Sequence, residues 1–129
     1  MNRFHTLDWK VLFLALLGCY IIPWLVVGTL VSSMVDVDVI GISGWKRALV
    51  NSYPVVCFVA MPFAAGCFTA RFSKSRPRLH VLLVVLLAGL AFNTWVSSSS
   101  WAAQAFVLAL STAVAFLGAF VALRNASPR

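Results

Sequence analysis

Apolar residues in this chain fall into long blocks, without the short period that marks a soluble amphipathic helix or a half-buried strand. Four such blocks, at 11–35, 48–70, 79–96 and 101–123, contain no Asp, Glu, Lys or Arg. A helix rises about 1.5 Å per residue and the hydrocarbon core of a bilayer is about 30 Å thick, so each block is long enough to cross it, the third only just. The pattern predicts an all-α, integral membrane four-helix bundle with short loops, in a single membrane domain over residues 1–129.

The segments between the blocks sharpen this reading. The lead carries Arg3, His5 and Lys10, with Thr6 as the expected N-cap and Asp8 in the first turn. A charged lead before an apolar run is also the opening of a secretory signal. Here the run is too long, and no small-x-small site closes it, so the first helix is expected to stay in the membrane. Asp36 and Asp38 precede the breakers Gly41, Ser43 and Gly44, and Trp45, Lys46 and Arg47 follow. Two carboxylates fall short of the six or more oxygen ligands that calcium takes, so a solvated loop is the expected reading and no metal site is predicted. Ser97 to Ser100, between Trp95 and Trp101, reads as a tight turn with an aromatic at each interface, making the last two helices antiparallel neighbours.

Composition agrees with the pattern. With 62% hydrophobic and 10% charged residues, the chain lies far from the make-up of a soluble domain. The net charge of +7 would suggest nucleic-acid binding in a soluble protein. These charges flank the apolar blocks instead of forming a stripe, so nucleic acid is not an expected partner and the anionic headgroups of a bilayer are. Arg3, Lys10, Arg71, Lys74, Arg76, Arg78, Arg124 and Arg129 fall on one side of the membrane, against Lys46 and Arg47 on the other. By the positive-inside rule both termini and the basic loop are expected in the cytoplasm, with the protein in the plasma (inner) membrane. Arg71, Lys74, Arg76 and Arg78 are the expected contacts to anionic lipid or to a partner.

The interior offers little chemistry. No charged residue lies at membrane depth, where ion-coupled transporters usually keep one. Cys19, Cys57 and Cys67 are placed at different depths, with Cys57 and Cys67 about 15 Å apart along one helix, too far for a disulfide. They read as small apolar fillers. His5 and His80 have no nucleophile paired with them by spacing, so neither catalysis nor a cofactor is expected. Pro23 and Pro62 interrupt the first two spans as bends, with Pro54 a further break in the second.

Two positive features remain. Small residues recur every four positions in the fourth block, as Ala105, Ala109 and Ala113 and as Ser111, Ala115 and Ala119, with Gly118 and Ala122 beside them and Gly66 and Ala70 in the second block. Such ladders let helices pack closely, within one chain or between chains. Asn51, Asn93 and Gln104 lie about one turn inside the outer boundary, at the depth of Ser32, Ser33, Ser52, Tyr53 and Thr94, and form an expected outer polar layer. Its amides are expected to bond between helices or to line a shallow vestibule. Together these features point to an interaction protein, an accessory subunit or immunity-type protein docking on a membrane partner. The alternative is a small oligomeric transporter or channel for a neutral or lipidic substrate.

Overall fold

The computed structural model describes residues 8–35, 44–95 and 100–126. The elements are α1 (Trp9–Leu16), α2 (Ile22–Val35), α3 (Trp45–Val55), α4 (Met61–Phe72), α5 (Pro77–Trp95) and α6 (Trp101–Ala126). A π-helical turn, Leu17–Ile21, joins α1 to α2 in one rod, and a second, Val56–Ala60, joins α3 to α4. Among the described residues 93% are helical and none is in a strand, so the fold is all-α with four rods. Three rods, Trp9–Ser33, Trp45–Phe72 and Trp101–Ala126, are long and apolar enough to cross a membrane; the apolar stretch Pro77–Ala91 of α5 is shorter.

The rods extend beyond the uncharged blocks. Trp9 and Lys10 are helical before position 11, Trp45 to Arg47 before 48, Arg71 and Phe72 after 70, Pro77 and Arg78 before 79, and Arg124 to Ala126 after 123. Backbone hydrogen bonding does not stop where charge begins, because long Lys and Arg side chains can reach water from the last helical turns. The cap of α1 also differs from expectation. Asp8 occupies the N-cap without a side-chain capping bond, and its backbone N–H donates to His80 Nε2; Thr6 lies outside the described residues.

Both π-turns have the same cause. Each ends two residues before a proline, Ile21 before Pro23 and Ala60 before Pro62. Proline has no N–H to give, and its ring presses on the carbonyl four residues back, that of Cys19 or Phe58. A wider turn at that point moves the carbonyl aside and keeps the rod continuous. The sequence supplies the bends, and the structure places both within the same part of the bundle.

Packing follows the logic of a lipid-facing protein. Ala65, Ala70, Ala88, Ala115 and Ala119 are buried, whereas Phe13, Leu25, Leu90, Phe106, Leu117 and Phe120 face outward. Such an outer surface suits hydrocarbon, and without a hydrophobic force between helices close backbone approach takes over. The closest approach joins α4 to α6. A Cβ at Gly66 would overlap the carbonyl oxygen of Ala115, and one at Gly118 would overlap that of Phe63. The Cys67 thiol donates to the Gly118 carbonyl oxygen at 3.1 Å across the same crossing. Ala70, Ala115 and Ala119 continue the contact together with Val81 and Val85 of α5. The ladder of Ser111, Ala115 and Ala119 is therefore used within the chain, while Ala105, Ala109 and Ala113 are exposed.

On the other side of α4, Leu12 and Ala15 of α1 and Tyr20 of the first π-turn form a second cluster with Met61, Ala65, Val84 and Ala88. Gly89 of α5 meets Leu108 of α6, while Val81 and Val85 meet residues further along α6, so α5 and α6 run antiparallel as the serine turn implies. By the same reasoning α4 and α6 run parallel.

Candidate functional site

The parallel pair of α4 and α6 touches backbone to backbone at Gly66 and Ala115, and toward the N-terminal ends of these rods a gap lies between the second rod and α6. The gap is a cavity of about 360 Å³, within the range of small-molecule sites. Tyr20 and Trp24, on either side of the Pro23 bend, form its back wall, and Tyr53, Pro54, Cys57, Phe58 and Met61 form a second wall around the other bend. Gly89 contributes from α5, and Ala103, Gln104, Val107, Leu108 and Ser111 contribute from α6. Pro54, Phe58 and Ala103 are exposed, so the mouth opens sideways between the second rod and α6, toward the lipid face.

The lining is apolar and aromatic with a few polar groups and no charge. The Tyr53 hydroxyl interacts with Trp24 and with Cys57, and it lies 3.9 Å from where a Cβ on Gly28 would be, so it spans the space between the first two rods. At Gly89, an added Cβ would strike only the Cδ1 end of Leu108, which could yield into the cavity. The bare backbone at this position keeps the α5 side of the cavity flat.

The outer polar layer is divided by this geometry. Gln104 and Tyr53 line the cavity; Asn51 is exposed and lies outside the lining. The side chains of Asn93 and Thr94 lie outside the described residues. Ser32, Ser33 and Ser52 donate to carbonyls three residues back on their own helices, so their hydroxyls are satisfied without reaching across. Sequence reasoning missed Tyr20, Trp24, Phe58 and Gly89. One usable signal was the pair of aromatic residues flanking Pro23, Tyr20 and Trp24, since proline bends leave room beside a helix.

The opposite end of the bundle is basic. Lys10, Arg71, Lys74, Arg76, Arg78 and Arg124 are all exposed there, brought together because α1 begins beside α5 and the parallel α4 and α6 end at the same level. His80 ties this end. Its ring is fully buried; Nε2 accepts from the backbone N–H of Asp8 at 2.8 Å, and Nδ1 lies 3.1 Å from the carbonyl oxygen of Arg76. One nitrogen accepts and the other faces an acceptor, which fixes the neutral ring with its proton on Nδ1. Arg76 holds a positive φ of 45° before Pro77, and its carbonyl also receives the N–H groups of Leu79 and His80, at 3.0 and 3.3 Å. Those three contacts hold a backbone conformation that is costly for arginine. His5, Asp36 and Asp38 lie outside the described residues.

Exchanging Arg71, Lys74, Arg76 and Arg78 for glutamine should weaken association of the reconstituted protein with anionic lipid, and the loss should shrink as salt is raised. Lipid retention through purification measures it, with a topology reporter as control. Equal retention of anionic lipid by the parent and the variant would remove these residues as contacts.

Among the described residues no group of three His, Cys, Asp or Glu side chains could hold a metal ion, and the three cysteines are free thiols. Cys57 lines the cavity, whereas Cys19 and Cys67 do not. No protein-family model, curated protein or solved structure matches this chain, so the geometry described here is the ground for a functional reading.

Proposed function

We propose that this chain is a plasma-membrane protein that binds a neutral, largely apolar small molecule in the cavity between its two bends and exchanges it with the bilayer. Its termini and basic end face the cytoplasm. The observation that carries the reading is the uncharged cavity with a lateral mouth, at the level where both rods bend. An ion would find no countercharge there, whereas an apolar guest from the lipid would lose little on entry. Oligomeric transport remains the natural extension, because a single cavity of this size is a binding place and not a path across the bundle.

A second reading, docking onto a membrane partner as an accessory or immunity-type protein, is favoured by the exposed Ala105, Ala109 and Ala113. It draws less support than from the sequence alone, because the other ladder is already occupied by α4.

The test uses the chain in nanodiscs with N-phenyl-1-naphthylamine, a neutral ring dye that brightens in apolar surroundings. The parent should show saturable binding above that of empty discs. Ala103→Phe, which places a ring at the mouth from an exposed position, should weaken it at least tenfold. Ala102→Phe, exposed and outside the lining, should leave it unchanged. Identical titrations for the parent, Ala103→Phe and empty discs would reject the reading.

A further inference from the structure

Resting on that reading, we infer that Gly89 sets the size of the guest, and that with glycine there the cavity takes a neutral hydrocarbon of about two fused rings. An apolar cavity of about 150 Å³ holds a single benzene. This one measures about 360 Å³, so its volume leaves room for a second ring. Among the described residues of α5, Gly89 alone lines the cavity, and it has no side chain to occupy that room.

The space beside Gly89 is filled from α6. The Cδ1 end of Leu108 rests where a Cβ at Gly89 would stand, and it is the one group such a Cβ would overlap. Neither backbone is free to retreat: Ala88 is buried in one cluster with Ala65 and Met61 of α4, and α6 runs unbroken from Trp101 to Ala126. In Gly89→Ala the Leu108 side chain must therefore change rotamer. Gln104 lies one turn before Leu108, Ser111 one turn after it and Val107 beside it, and all three line the cavity. A leucine on that face, turned away from α5, comes to lie over the cavity and takes the place of part of the guest. A single ring needs less than about half of the volume and should tolerate the turned leucine; a fused pair should not.

The experiment measures saturable uptake of radiolabelled benzene and naphthalene by nanodiscs carrying the full chain, in excess of empty discs. The parent should bind both. Gly89→Ala should bind naphthalene about tenfold more weakly, within the range that overpacking costs, and benzene unchanged to within about twofold. Adding Leu108→Ala to Gly89→Ala removes the displaced side chain and should restore naphthalene to the affinity of the parent. A parent that binds the dye and not naphthalene, or a Gly89→Ala variant that keeps naphthalene or loses both hydrocarbons equally, would overturn the inference and leave the apolar-guest function standing. So would a double variant that stays weak, since the loss would then not run through Leu108. Failure of the dye itself to bind would sink both.

Discussion

Replacing Gly66 with alanine should break the tightest contact in the molecule. The new methyl group would occupy the place of the Ala115 carbonyl oxygen, which is backbone and cannot rotate away, so α4 and α6 must separate along their whole crossing. Overpacking in a well-filled core costs about 1–3 kcal/mol, and a clash with rigid main chain belongs at the upper end, about 3 kcal/mol. Separation would also take the Cys67 thiol out of reach of the Gly118 carbonyl. Gly18 provides the control, since nothing lies within 4 Å of a Cβ added there. Gly18→Ala should be neutral or slightly stabilising, because alanine is the better helix former by about 1 kcal/mol. Unfolding by sodium dodecyl sulfate in mixed micelles measures both, and similar midpoints for the two variants would show that the crossing is not the main tie.

His80→Leu is the second substitution with a large expected effect. Leucine fills much of the same volume but offers nothing to the Asp8 N–H, and it removes one of three donors from the strained Arg76 carbonyl. A buried donor left without an acceptor costs about 1–3 kcal/mol. The loss should concentrate at the basic end: amide exchange at Asp8 and Leu12 should quicken, whereas exchange around Ala115 should hold. His80→Gln, which keeps an acceptor on a shorter reach, should recover part of the protection. Unchanged exchange at Asp8 in His80→Leu would mean that the N–H is satisfied by another group.

These two sites show where sequence reading succeeds and where it stops. Gly66, Gly118 and the Ser111 ladder were visible because small residues at a spacing of four form one stripe on any helix, whatever it packs against. Which of the two α6 stripes would be used was not visible, since that depends on how each rod is rotated about its own axis. The same distinction separates Gln104 from Asn51. Both sit about one turn inside the outer boundary, and depth follows from counting residues, but only Gln104 is turned toward the other rods.

Proline told where the rods bend, and it did not tell that the bends would meet around one cavity. Tyr20 and Trp24 were hidden among ordinary apolar neighbours for that reason. His80 was legible as a histidine beside four cations. Its burial against the start of α1 was not, because contacts between positions 8 and 80 depend on the closing of the whole bundle.

The bare-backbone crossing of α4 and α6, with Gly66 against Ala115 and Gly118 against Phe63, acts mechanically as a spacer. Above it lies the mouth of the cavity, between Phe58 and Ala103; below it lie the ends that carry Arg71 and Arg124. Main chain packed on main chain yields little, so the crossing sets the distance between the rods, and with it the width of the mouth on one side and the spacing of the basic ends on the other. A methyl group forced between the rods there would therefore be felt at both ends of the bundle together.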